Sequence, residues 1–468
     1  MKKAIGILIL LLAGVLFTSC AVPPARVRPP LDNEALVFIY LRPLPNEANR
    51  LSFTIGSIIA VRDDGQEYPL TLRSAEYQGA GNGYQRLLCE GVLPQGSYTG
   101  FSVAVAKASL KGEEGDADLL LPEKPVLQNF QFRIEGQRAS VLFAGLDYTR
   151  SLAEEFRFNP FFLFSLPPKP IPAVAGYATN DGSYAVTVLD KNEKRAVGAI
   201  ATERHPKGLA LDQKTRRVYT AMPESNAVFI IDAATQERLN TIRLNLGDSP
   251  QDLALTPDGK TLLVVNSGSR TVSVVDTSLL LETARVPIGN GANAVLMDRK
   301  GRRAYVFNTF SNTLTVIDVA TRSTVVTLST DPAPLWGQFN AAGDRLYIIF
   351  AQTPYLTVLD PRTLTVLSRA YVGLGMNALK VDPVTDLIYL GKSIAGVEIY
   401  DPFSLVVFDR IETKEGSSYL TIDGEESNLW VVGSATGKIF VVSLASKKVI
   451  AEIDVEDETS RIVLMGER

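Results

Sequence analysis

Apolar and polar residues alternate with a period of two along much of this chain, as in NFQFRI (129–134) and SVAVA (102–106). That period buries one face of an extended strand and wets the other. No long stretch keeps a helical period. Runs rich in Val, Ile, Tyr and Phe are separated by Gly, Asn and Asp turns, which predicts an all-β chain. In the second half the pattern itself repeats. The residue closing each Val-x-Val-x-Asp run is Asp190, Asp232, Asp276, Asp318, Asp360, Asp401 or Ser443, at spacings of 42, 44, 42, 42, 41 and 42 residues. A period near 42 with four strand signals per unit belongs to a propeller blade. The first unit lacks its leading strand, and SRIVLMG (460–466) falls in register to supply it. A ring closed in this way leaves few exposed sheet edges.

The first half carries no such repeat. ALVFIYLR, LSFTIGSIIAVRDDG, GSYTGFSVAVAKASL, NFQFRIEG and RASVLFAGL read as strands of a Greek-key sandwich. Two proline-rich segments, AVPPARVRPPLDNE after Cys20 and SLPPKPIPAVAG, bound this unit. The predicted organisation is residues 1–19 as a signal peptide, 20–34 as a tether and 35–166 as a β-sandwich domain. Residues 167–173 follow as a linker and 174–468 as a seven-bladed β-propeller closed by its last strand. The sandwich reads as a spacer or second binding module beneath the propeller. The acidic GEEGDAD (112–118) reads as a solvated loop, with calcium binding as the alternative.

Charge and rare residues narrow the chemistry. The net charge of −4 predicts no basic surface for gathering phosphates, so nucleic acid is not an expected partner. The chain has two cysteines, Cys20 and Cys89, and one histidine, His205. Cys89 in LLCEGVL reads as a small buried hydrophobe on a strand. The six aligned aspartates precede x-x-Thr/Ser patterns, which predicts turn formation rather than a carboxylate array. No phosphate loop or nucleophile elbow is present, and no cofactor or metal is predicted.

Three resemblances add to this reading. MKK followed by AIGILILLLAGVLFTSC resembles the signal and lipobox of bacterial lipoproteins. It implies acylation of Cys20 and a cell-envelope location, and Ala21 after the cysteine implies the outer membrane. AYVFN (304–308), LLVVN (262–266), TPDGK (256–260) and the TVID and SVVD strands resemble the YVTN family of bacterial β-propellers. LYIIF and LWVVG depart from that pattern by lacking the Asn. The order of strands between Leu93 and Leu152 is similar to an uncharacterised prealbumin-like β-sandwich domain of bacterial lipoproteins, which carries no functional residues over.

Propellers work chiefly at the channel mouth, where the chain passes from one blade to the next innermost strand. The repeat register places seven tetrads there: HPKG (205–208), SPQD (249–252), GANA (291–294), APLW (333–336), GMNA (375–378), GSSY (416–419) and ETSR (458–461). The candidate channel-facing residues are Lys207, Gln251, Asp252, Asn293, Trp336, Asn377, Tyr419 and Arg461. Amides, a hydroxyl and an indole suit a polar neutral ligand, a glycan or a peptide loop, and are poor material for acid–base chemistry. The function expected is a non-enzymatic binding or scaffolding lipoprotein, held to the membrane by its lipid and engaging an envelope protein or small polar molecule. An alternative is a lactonase-like hydrolase using His205 with Glu458 and Arg461. A further alternative is an accessory to envelope redox proteins, since YVTN-like propellers resemble the haem d1 propeller. The loop before Ser249 is two residues longer than its equivalents, and insertions in repeats mark binding faces.

Overall fold

The computed structural model describes residues 27–79, 83–113, 115–153, 156–394 and 396–468. Cys20 and its lipobox lie outside them. Residues 34–165 build one ten-stranded hydrogen-bonded system in two halves. One half sets Phe162–Ser165, Ala139–Leu146, Glu34–Leu41 and Arg86–Pro94 side by side. The other centres on Leu51–Arg62 and Gly96–Lys111. Strand Glu67–Leu72 belongs to both, since its Tyr68–Leu70 segment pairs with Ile58–Ala60 while Thr71 and Leu72 pair with Glu90 and Cys89. A strand that changes partners in this way turns a sheet corner and folds the two halves face to face. Val37, Ile39, Phe53, Tyr77, Phe101, Phe132 and Phe158 fill the space between them. Phe101 and Phe164 stack there with ring centroids 4.5 Å apart. Cys89 is buried in this core, and burial pushes its thiol up.

Residues 175–464 form seven four-stranded antiparallel sheets. Blade one takes Thr459–Leu464 as its innermost strand, beside Ala175–Asn180, Ala185–Asp190 and Arg195–Ala201. The innermost strands of blades two to seven are Leu209–Asp212, Pro250–Leu255, Ala292–Met297, Pro334–Phe339, Met376–Val381 and Ser417–Asp423. The second strand of each blade carries one large residue at an equivalent, fully buried position: Tyr177, Tyr219, Leu263, Tyr305, Tyr347, Tyr389 and Trp430. Two of these tie neighbouring blades. The hydroxyl of Tyr177 donates to the Ala233 carbonyl (2.9 Å) and that of Tyr305 to the Pro361 carbonyl (3.4 Å).

The repeated aspartates do what their sequence context predicts. Asp232 accepts from the N–H groups of Ala234 and Thr235, and Asp401 from those of Phe403 and Ser404. Backbone and side-chain hydrogen bonds of this kind hold the carboxyls of Asp318 and Asp401 below the usual range.

The sandwich docks at the side of the ring rather than beneath it. Leu36, Phe38, Tyr40 and Phe143 share one core with Val197 and Ile200 of blade one and Ile439 and Ile453 of blade seven. Strand Glu34–Leu41 is therefore buried along its whole length. The Gln85 amide satisfies both backbone groups of Ala196, at 2.9 and 3.2 Å, on the outer edge of blade one. Asp454 accepts from Arg86 (3.2 Å) and from the Leu87 N–H (3.2 Å). Arg73 forks onto Asp457 at 2.7 and 2.9 Å and reaches Glu90 at 3.2 Å. Glu456 lies in the same junction, nearly inaccessible, with Asn180 Nδ2 3.4 Å from it. Burial, reinforced by Glu90, pushes its carboxyl up to about 8.

At the far ends of the inner strands, residues 465–468 run from blade one along blades seven and six. Lys191, fully buried, donates to Asp423 (2.9 Å) and the Met465 carbonyl (2.5 Å). Glu467 pairs with Lys380 (3.2 Å) and Arg468 with Asp382 (3.2 Å).

Candidate functional site: a cup at the propeller mouth

The first residue of the tetrad takes a positive φ in six of the seven blades: His205 (59°), Ser249 (48°), Gly291 (71°), Ala333 (57°), Gly375 (81°) and Glu458 (58°). This left-handed turn swings the chain from the rim of one blade to the axis of the next. The third residue is then skipped in the pairing of six blades. Pro250 pairs with Asn266 and Asp252 with Val265, leaving Gln251 unpaired. Asn293, Leu335, Asn377, Ser418 and Ser460 are bypassed in the same manner. A β-bulge of this kind re-aims a side chain out of the regular alternation.

The result is a cup of about 500 Å³ lined by all six bulged residues and by Lys207, the equivalent in blade two. Beneath that tier sit the fourth tetrad residues. In blade order from one to seven they are Arg461, Gly208, Asp252, Ala294, Trp336, Ala378 and Tyr419, large in odd blades and small in even ones. The large ones meet across the axis and form a floor. The Arg461 guanidinium lies 4.4 Å from the Trp336 ring centroid and 4.8 Å from that of Tyr419, with the two rings 6.3 Å apart. Its Nη2 reaches Asp252 at 3.3 Å. Gly208 leaves no alternative residue, since a Cβ there would stand 2.5 Å from the Asp252 Cα.

Of the eight channel-facing candidates, seven line this cup: Lys207, Gln251, Asn293, Trp336, Asn377, Tyr419 and Arg461. Asp252 does not. It is buried under the floor, accepts from the Val295 N–H of the next blade at 3.0 Å, and has its carboxyl raised by burial against the opposing pull of Arg461. Selection by residue type missed Leu335, Ser418 and Ser460. Their register position alone identifies them. Glu458 also lines the cup, as does Asp181, which pairs with Lys207 at 3.0 Å.

His205 stands outside the lining. Its Nδ1 contacts the Asp181 carbonyl and lies 3.1 Å from Asp181 Oδ1, and its Nε2 lies 3.3 Å from Glu224. Its backbone occupies the left-handed position that five other blades fill with Ser, Gly, Ala, Gly and Glu. The long loop before Ser249 is likewise built from within. Asp248 is buried there, and although burial opposes it, the Arg285 fork (2.6 and 2.9 Å) holds its carboxyl below the usual range. Leu246 points outward, almost fully exposed. Among the described residues, no group of three or more His, Cys, Asp and Glu is arranged to hold a metal ion.

The chain is a seven-bladed β-propeller with a curled β-sheet unit docked on its rim. Residues 185–379 match the YNCE-like beta-propeller family model. The seven-bladed beta-propeller protein Rv1057 of Mycobacterium tuberculosis (strain ATCC 25618 / H37Rv) is 33% identical over 105 residues, 21% of this chain and 26% of that protein. The match thus spans about a quarter of the curated relative. Among solved structures, Kuenenia stuttgartiensis hydrazine synthase is similar at 18% identity and a TM-score of 0.53, over 59% of this chain and 94% of that one. The dihydro-heme d1 dehydrogenase NirN in complex with DHE gives 13% identity and a TM-score of 0.50, over 65% of this chain and 78% of that one. At these identities the likeness is one of fold.

Proposed function

We propose that this protein is a non-catalytic binding or scaffolding lipoprotein of the cell envelope. Its cup takes a neutral, hydrogen-bonding ligand, either a glycan or a loop of an envelope protein. The ring of bulges carries this reading, because it turns Gln251, Asn293, Asn377, Ser418 and Ser460 onto one blind cup. The two cations there, Lys207 and Arg461, are each matched by a carboxylate. What remains is the Glu458 carboxylate and a majority of amide and hydroxyl groups, all of which recognise ligand hydroxyls and peptide N–H groups. The hydrolase reading draws less support, since His205 is held between Asp181 and Glu224 and Arg461 is committed to the floor. The redox-accessory reading has only the likeness of fold behind it.

Glycan and peptide arrays probed with the intact protein and with a Gln251→Ala, Asn293→Ala, Asn377→Ala variant test the cup. These side chains sit at bulges, so the variant keeps its melting temperature. It is expected to lose about tenfold or more in affinity for the retained ligand, at about 1 kcal/mol per hydrogen bond. Equal binding by both proteins, or turnover of a substrate in the cup, would remove the proposal. The anchor has its own test. Metabolic labelling with a fatty acid is expected to mark the wild type and leave Cys20→Ser unlabelled and released from membranes. Label on both proteins would count against Cys20.

A further inference from the structure

The net charge of −4 conceals one uneven face. At the ends of the inner strands, about 20 Å from the cup for a six-residue strand, the turns of blades two to four read QKTRR (213–217), PDGK (257–260) and DRKGRR (298–303), and Arg322 projects from the next turn. Lys214, Arg216, Lys260, Lys300, Arg302 and Arg322 are all exposed. None of the six forms an ion pair among the described residues, whereas the cations of the cup and of the sandwich junction are paired. The carboxylates of the same turns accept hydrogen bonds from their own turns. Asp212 accepts from the Lys214 N–H and Thr215 Oγ1. Asp258 accepts from Thr256 Oγ1 and the Lys260 N–H, Asp298 from the N–H groups of Lys300 and Arg302, and Asp318 from that of Thr321. Each turn thus engages its own anion and leaves its cation without a carboxylate partner, with Lys214 Nζ donating to the Pro257 carbonyl at 3.1 Å. Between Lys214, Lys300 and Arg322 lies a hollow of about 550 Å³ lined also by Pro257, Val319 and Asp258, whose carboxylate is engaged by Thr256 Oγ1 and the Lys260 N–H. The absence of a basic surface, expected from net charge, does not hold here.

We propose that this face is an anion-binding surface for phosphoryl groups, centred on the hollow between Lys214, Lys300 and Arg322. Several unpaired cations around a concavity focus their potential at its mouth and attract a multiply charged oxyanion. A phospholipid headgroup and a free phosphate ester share this chemistry. The lipid surface suits the spread of the remaining cations over three blades, because a layer of headgroups contacts them together.

The test uses the chain from Ala21 onward, so that neither the apolar leader nor an acyl chain contributes, in sedimentation with phosphatidylcholine vesicles with and without phosphatidylglycerol. Binding is expected only to the anionic vesicles and weakens steeply with added salt. Adding Lys214→Glu, Lys300→Glu and Arg322→Glu is expected to lower partitioning roughly a hundredfold, at about fivefold per lost surface cation. A control with Lys124→Glu, Lys169→Glu and Arg243→Glu has the same net charge and is expected to stay close to wild type. All six side chains are exposed, so thermal melts of both variants should match the wild type. Glycerol phosphate separates the sources: release of the protein from vesicles at low concentration assigns a discrete phosphate site, and persistence of binding assigns the membrane surface. Equal binding to neutral and anionic vesicles without phosphate binding overturns the proposal, as does an equal loss in the control.

Discussion

Arg461→Ala is expected to destabilise the propeller by about 3–5 kcal/mol, the range for removing one partner of a buried ion pair. Asp252 would be left under the floor with backbone N–H groups, those of Val295 and Leu253, in place of a cation. Trp336 and Tyr419 would lose the cation between their rings. The effect belongs to the pair, so Asp252→Ala in the same chain should recover part of the loss. Denaturant unfolding of both single variants and the double variant measures this directly. A coupling below about 0.5 kcal/mol would show that the two residues act independently and that the floor is held by packing alone.

The junction between sandwich and propeller supplies the second large effect. Glu456 keeps its proton in the folded protein up to about pH 8, against an ordinary glutamate value of 4.5. Between those limits the folded state holds a proton that the unfolded state has released. Its contribution is complete below the lower limit and falls as pH rises to the upper, by up to about 1.4 kcal/mol per pH unit. Glu90 and Asp457 add to the effect of burial there, and Arg73 and a hydrogen bond from Ser183 oppose it. Glu456→Gln mimics the protonated carboxyl. It should flatten the decline in unfolding midpoint from weakly acid pH to pH 8 and make the variant the more stable protein at the upper end. Superimposable pH profiles for variant and wild type would show that the carboxylate is carried by its neighbours at no cost.

How far the sequence foretold these features depends on what each element rests on. The blades were legible because every repeat satisfies the same local demands: an apolar inner strand, a central strand buried on both faces and a turn closed by an aspartate or, in blade seven, by Ser443. The closing strand was legible from register for the same reason. The cup was legible in position and less so in membership. A regular strand sends adjacent residues to opposite faces, and nothing in GANA or SPQD announces the bulge that brings the third and fourth residues to the axis at different depths. Choosing residues by chemistry therefore swept in Asp252 and passed over Ser418 and Ser460. The docking of the sandwich left a fainter trace. EALVFIYL does not alternate, which says that both its faces are covered without saying by what. The basic face was hidden because an overall charge averages over the carboxylates that the turns consume.

The second tier of the cup carries a constraint of parity. Large and small side chains can alternate without conflict around an even ring, but seven blades leave one place where two large residues must be neighbours. That place falls between Tyr419 of blade seven and Arg461 of blade one. It is also the seam where the last strand joins the first blade. The odd number thus puts a cation against an aromatic ring, at 4.8 Å, between blade seven and the C-terminal strand that closes blade one. A propeller with an even count would have no such mismatch to turn into a clasp.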